Sequence, residues 1–255
     1  WAAATSESPG FGPVAAARLD AGVSADHQIC SVRTQRAWTD AELHELVGRM
    51  NAALPADVRC LRVLRCPVKF HAINAPTWKR YGYTVVAAAA APPSPPAAAA
   101  DLRCWWRDGP RIDEEVTRAA CALFVGTHDF RRFTARSGPW STSGSALAPA
   151  APKPQRVRSA VRTILAATVA ARQHGSVDAL HISFQGHGFL KHQVRRMVGA
   201  AVAVGTGELE LGSLAAALNI KKSDTWDAVH KRLPYPLRSF EAPAVGLTLE
   251  EIHVA

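Results

Sequence analysis

Cysteine is scarce and unpatterned in this chain. Its five cysteines (Cys30, Cys60, Cys66, Cys104, Cys121) are odd in number and irregularly spaced, with no C-x-x-C. That excludes an even disulfide framework and the paired spacing of a zinc site, and is the pattern of reduced, intracellular thiols. The ten histidines contain no H-E-x-x-H, and neither His187 nor His192 has an obvious partner ligand, so no metal is expected. Long apolar runs are missing as well, which excludes a membrane-spanning helix. No signal peptide is visible. The chain opens on Trp1 rather than Met, in a loose Ala/Ser/Pro stretch. We read it as lacking its natural N-terminus, a reading compatible with cytoplasm, nucleus or mitochondrion.

Acidic residues are the other shortage. There are 21 Asp and Glu against 30 Lys and Arg, a formal net charge of +9. A balance of that sign favours an anionic partner. Arg heavily outnumbers Lys, and guanidinium groups fork onto phosphates and stack on bases. Basic residues cluster at 79–80, 131–132, 153–162, 191–196, 221–222 and 231–232. One such cluster is ordinarily a solvated face. Several along one chain fit a groove that follows a phosphate backbone. They fit a membrane surface poorly, since no long basic amphipathic helix is present.

At 255 residues the chain can bury a substantial core, as one large domain or two fused halves. Residues 1–13 read as a loose segment. Thr39 and Glu42 form a capping box, and Leu43, Leu46, Val47 and Met50 predict a helix over 40–50, ended by Asn51 and Pro55. Strands are expected over 58–69 and 80–86. The Ala/Pro run at 87–100 reads as a surface insertion separating an N-terminal half (14–86) from a C-terminal half (101–255). A second helix is expected over 113–123 with Val116, Ala119, Ala120 and Leu123 inward, then a loop over 137–154. Leu180, Ile182 and Phe184 alternate with polar residues, a strand with one apolar face. A helix over 189–204 places Leu190, Val194, Met197 and Ala201 on one face, and His192, Arg195 and Gly199 on another. Strands and helices without regular alternation indicate an α+β fold.

One loop carries the clearest chemistry: Ala17-Arg18-Leu19-Asp20-Ala21-Gly22-Val23-Ser24-Ala25. An Arg and an Asp sit on a turn relaxed by Gly22. Alone it is an ordinary surface turn. It resembles, however, the G-R-T-D-A-G-V-H-A motif of the TruA-type tRNA pseudouridine synthases. Further segments resemble that family in the same order. They are Phe70-His71-Ala72 with Arg80-Tyr81-Gly82-Tyr83, then Gly126-Thr127-His128-Asp129-Phe130-Arg131-Arg132-Phe133, and Val161-Arg162-Thr163-Ile164. Next comes the run from Gly188 to Gly199, similar to F-L-x-H-x-V-R-x-x-V-G, and last Ala242-Pro243-Ala244-Val245-Gly246-Leu247. Ala17, Leu19 and Ser24 depart from the family's Gly, Thr and His, and its opening strand has no counterpart here.

The resemblance implies two similar halves whose mixed or antiparallel sheets join, flanked by helices, with a basic central cleft. It implies isomerisation of uridine to pseudouridine in tRNA or another structured RNA. That reaction breaks an N-glycosidic bond, turns the base and rejoins it through carbon. It gains and loses no electrons overall, so no cofactor is expected, and the base must first leave its stack. By resemblance the catalytic residues are Asp20, as nucleophile or base, Arg195, as the cation that keeps it charged, and Tyr81, as the ring against the base. Their meeting implies a charge-assisted hydrogen bond between Asp20 and Arg195 of about 2.7–2.9 Å. Arg18, Arg80, Arg156, Arg158, Lys191, His192 and Arg196 are the expected RNA-binding residues, and His128–Asp129 reads as a structural pair. Family members commonly form homodimers. The alternative is an RNA-binding assembly or scaffold protein on the same fold with little or no catalysis, for example in ribosome biogenesis, its partner being tRNA or rRNA or a large ribonucleoprotein. Tyr81 would then be a stacking platform or a core residue, and Arg195 a surface charge.

Overall fold

The computed structural model describes residues 12–88, 103–135, 159–174, 177–220 and 237–255. Three two-residue strands come first among the described residues: β1 (Val14–Ala15), β2 (Ser24–Ala25) and β3 (Cys30–Ser31). The chain packs as two compact units. One compact unit holds residues up to Arg18 together with Ile29–Pro76, and the other holds Leu19–Gln28 together with Thr77–Ala255.

In the first unit β1 and β3 pair antiparallel, and helix α1 (Asp40–Ala53) follows. Its start is as expected: Glu42 N donates to Thr39 Oγ1 at 3.3 Å, and Thr39 N donates to Glu42 Oε2 at 2.8 Å. Its end is not, because Asn51 lies inside the helix and turns its amide outward. Asn51 Nδ2 donates to Cys60 O at 2.9 Å, and Cys60 N donates to Asn51 Oδ1 at 2.7 Å. The strand expected over 58–69 is absent. One amide side chain takes the backbone groups of Cys60 that a strand would give to a neighbour.

The second unit continues with β4 (Pro76–Ala88), β5 (Trp105–Asp108), α2 (Glu114–Ala122), β6 (Gly126–Asp129), β7 (Val161–His174) and β8 (Val177–Gly186). It closes with α3 (Gln193–Gly205), α4 (Leu211–Leu218) and β9 (Leu247–Val254). One sheet runs β2-β9-β4-β8-β7-β6, with β5 also on β4. The β2–β9 and β4–β5 pairs are parallel, while β4–β8, β7–β8 and β6–β7 are antiparallel. The α+β class is the one the patterning indicated, and the mixed sheet is what the resemblance implied. The Ala/Pro run beyond residue 88 and the 137–154 segment lie outside the described residues.

Register assigns the two faces of the sheet. Tyr81 faces Phe184 and Tyr83 faces Ile182 across β4 and β8, and all four are buried. Phe124 packs edge-to-face on Phe133 (5.2 Å) and Phe184 (5.8 Å). Each such pair contributes about 0.5–1.5 kcal/mol beyond area burial. Helix α2 buries Thr117, Ala120 and Cys121, while Val116 is exposed. The inward face is therefore turned from the expected one. Thr117 tolerates burial because its hydroxyl donates to Asp113 O at 2.6 Å, and Thr117 is the side chain that abuts Gly205 of α3.

The opposite face is polar. His181 Nε2 lies 3.0 Å from Glu250 Oε1, and Arg80 Nε lies 3.4 Å from Glu250 Oε2. These groups line a cavity of about 480 Å³ with Asp26, Thr168 and Arg172. The hydrogen bond from His181 outweighs burial and, with Arg80 and Arg172, holds the Glu250 carboxyl below its ordinary value. A depressed carboxyl contributes stability above its unfolded value, about 4.3. That stability is lost as pH falls through the lower folded value. Wild type is therefore expected to lose melting temperature more steeply below about pH 4.3 than Glu250→Gln does. Parallel melting curves from pH 6 to pH 3 would contradict this.

Candidate active site

Asp20 is presented by a tight turn. Val23 N donates to Asp20 O at 3.1 Å, and Gly22, third of the four residues, has φ 83°. A type II turn demands that sign of φ there, which a side chain resists. The Asp20 side chain is about one-third exposed, at 32 %.

The second half of the site comes from the start of α3. The helix was expected to begin at residue 189 but begins at Gln193, with His192 as its N-cap at φ 61°. A left-handed His is uncommon and costs free energy, so its surroundings must hold it. Gln193, fully buried, closes the preceding loop by accepting from Leu190 N at 2.8 Å. Arg195 is the only partly exposed residue of α3; every other residue from Gln193 to Gly205 is buried. Arg195 therefore lies beside the core rather than in open solvent.

These elements bring charges together. Arg195 Nη1 lies 3.8 Å from Asp20 Oδ2, and His192 Nε2 lies 3.3 Å from the same oxygen. The Asp20–Arg195 separation is longer than the direct hydrogen bond expected, because the guanidinium is engaged elsewhere. Arg195 Nε donates to Ala242 O at 2.7 Å, and Nη2 lies 2.9 Å from Glu241 Oε1. Ala242 N in turn donates to Arg195 O at 3.1 Å. Tyr81 is also near: burial and then the charge of Asp20 push its phenol up to about 12. At neutral pH it is a proton-bearing hydroxyl on a ring packed edge-on against Phe189, centroids 5.2 Å apart. Tyr83 shares that face of the strand but is core, donating to Pro243 O at 2.9 Å.

Asp20, Tyr81, His192 and Arg195 are thus brought together, and other expected residues are not. Arg196 is a correction: its side chain is buried, donating to Thr134 O and to Glu241 Oε2, the latter at 3.0 Å. A buried, bonded guanidinium holds the fold and cannot meet a phosphate. Arg80 is a second correction, since it stands on the other face of β4 from Tyr81. It is held by Glu250 and Glu251, so its guanidinium is already engaged by carboxylates on that face. Lys191 is exposed, while its carbonyl accepts from Ala135 N at 3.1 Å. Arg18 is exposed and belongs to the first unit. Arg156 and Arg158 lie outside the described residues. His128 and Asp129 have local roles: His128 Nε2 contacts Val125 O at 3.0 Å, and Asp129 accepts from Arg131 N at 3.0 Å.

Glu241 is the residue that sequence reasoning missed. It stands one position before Ala242-Pro243, and no spacing rule marks it. Its Oε1 lies 2.8 Å from His192 Nδ1, out of line for a hydrogen bond. Burial favours its neutral form, but Arg196, His192 and Arg195 outweigh that and hold its carboxyl below the ordinary value. Among the described residues no group of three or more His, Cys, Asp or Glu is placed to hold a metal.

The sequence profile described as tRNA pseudouridine synthase matches residues 120–253 of this chain. The chain is 31 % identical over 240 residues to tRNA pseudouridine synthase A of Moorella thermoacetica, covering 94 % of this chain and 80 % of that protein. The chain belongs to the tRNA pseudouridine synthase family. It is also 31 % identical to tRNA pseudouridine synthase A 1 of Desulfotalea psychrophila, covering 81 % of this chain and 73 % of that one. Against tRNA pseudouridine synthase A of Streptomyces griseus identity is 30 %, covering 93 % and 70 %. This is a family of isomerases. The Moorella match leaves too few residues unmatched to exclude the Asp20 loop, which precedes the profile's span. As a pseudouridine synthase family member the chain has an RNA partner. No described helix is long and apolar enough to cross a membrane.

Proposed function

We propose that this chain isomerises uridine to pseudouridine in a structured tRNA, with Asp20 as the reacting carboxylate, Arg195 as its cation and Tyr81 as the ring beside the base. One observation carries the reading: Asp20 Oδ2 faces both Arg195 and His192 within 4 Å, next to a buried tyrosine that feels its charge. The reaction needs that carboxylate as nucleophile or base, and no group outside the protein. Lys191 and Arg18, exposed and basic, are suited to phosphates. The direct test is incubation with unmodified tRNA transcripts, followed by nucleoside digestion and chromatography. New pseudouridine is the expected result, and its absence across a full tRNA pool would overturn the reading.

Tyr81 gives a graded check. Tyr81→Phe retains the ring and is expected to bind tRNA nearly as wild type, with turnover reduced by loss of the hydroxyl. Tyr81→Leu also loses stacking, worth about 1–3 kcal/mol of binding. Binding and turnover unchanged in both variants, with lowered melting temperatures, would make Tyr81 a core residue alone.

A further inference from the structure

We propose that Glu241 is a positioning residue for this reaction, holding Arg195 and His192 so that both face Asp20. The inference rests on the isomerase reading above. A single oxygen, Glu241 Oε1, lies 2.9 Å from Arg195 Nη2 and 2.8 Å from His192 Nδ1. The far ends of the same two side chains, Arg195 Nη1 and His192 Nε2, are the atoms that approach Asp20 Oδ2. A guanidinium is a rigid fork, so fixing one amino group and Nε fixes the direction of the other. An imidazole is rigid too, and Glu241 Oε1 against Nδ1, though out of line for a hydrogen bond, limits how far the ring can turn from Asp20. Glu241 thus contacts both side chains from behind while Asp20 meets them from in front.

Glu241 is itself held firmly. Its Oε2 accepts from Arg196 Nε at 3.0 Å, and Arg196 is anchored in turn on Thr134 O. The neighbouring Ala242 exchanges two hydrogen bonds with Arg195, one in each direction. The left-handed backbone of His192 has no side-chain capping bond of its own, and its ring is braced by the close contact with Glu241 Oε1. Glu241 also divides the attention of Arg195. With one amino group at 2.9 Å from Glu241 and the other at 3.8 Å from Asp20, Asp20 has a stabilising cation without being locked in a direct pair. The competing explanation is that Glu241 only neutralises the buried Arg196.

The two explanations separate in double-mutant cycles on the full-length chain. Glu241→Gln retains the shape and removes the charge. It is expected to lower kcat on tRNA about 10–100-fold, the range for partners that orient a functional group, with KM within about twofold. The loss should nearly vanish in an Arg195→Met background and persist in Arg196→Met. A readout independent of activity is the ¹⁵N signal of the Arg195 guanidinium. Restricted rotation about its Cζ–Nη bonds in wild type should give way to averaging in Glu241→Gln. Glu241→Asp, retaining charge on a shorter arm, serves if the Gln variant does not fold and should show the same kcat-selective loss. Three results would overturn the proposal: kcat unchanged in the folded variant, coupling to Arg196 but not Arg195, or a guanidinium equally restricted in Glu241→Gln. If wild type makes no pseudouridine while the guanidinium signal responds as expected, the isomerase reading fails and the grip of Glu241 on Arg195 stands.

Discussion

Asp20→Asn is expected to bind tRNA about as tightly as wild type and to lose at least about 10³-fold in turnover, the scale seen when a reacting side chain is removed. The substitution is isosteric, so the turn closed by Val23 N and the left-handed Gly22 is preserved. What disappears is the charge facing Arg195 and His192. Arg195 keeps its bonds to Ala242 and Glu241, so the fold loses little. Affinity rests mainly on phosphate contacts, to which an acidic residue contributes nothing favourable. The split between binding and turnover is checked by filter binding alongside single-turnover assays. Equal losses in both would mean that Asp20 shapes the RNA site rather than reacting.

Gly199→Ala should be the most damaging single-methyl change in the described structure. A Cβ at Gly199 would fall inside the van der Waals radius of Phe240 O, with Ala242 N at 3.1 Å. Both are backbone atoms and have no rotamer to yield. Overpacking of this kind costs at the top of its usual range, about 3 kcal/mol, or a fall in melting temperature of roughly 6–12 °C for a domain of this size. The consequence extends to the site, because the displaced segment carries Glu241 and Ala242, the two residues that hold Arg195. Pseudouridine formation well below the melting temperature is therefore expected to fall further than the folded fraction does. Thermal melts with assays at low temperature check both parts. A variant as stable as wild type would mean that α3 and the 240–242 segment separate freely.

Residues with strong local rules were legible in the sequence. The Thr39–Glu42 box marked the start of α1, because capping involves neighbours three positions apart. The alternation at Leu180, Ile182 and Phe184 marked β8 and its buried face. Asp20, Tyr81 and Arg195 were legible only through resemblance, since nothing in their separate spacings requires them to meet. The failures were tertiary. Residues 58–69 have strand composition, but Asn51 captured the backbone of Cys60. The inward face of α2 was misjudged because a Thr that bonds its own helix is buried as readily as an Ala. Arg196 belongs to a basic run, and only the positions of Thr134 and Glu241 make it a buried anchor. Glu241 is invisible to any local rule, because its partners lie more than forty residues away.

The most direct measurement is tritium release from tRNA labelled at uridine C5, in single turnover with excess enzyme. Rejoining the base through that carbon displaces its hydrogen, so each isomerisation frees one tritium. The account predicts one equivalent released per target uridine by wild type, and release at background from Asp20→Asn bound to the same tRNA. Release from Asp20→Asn at the wild-type rate would contradict it.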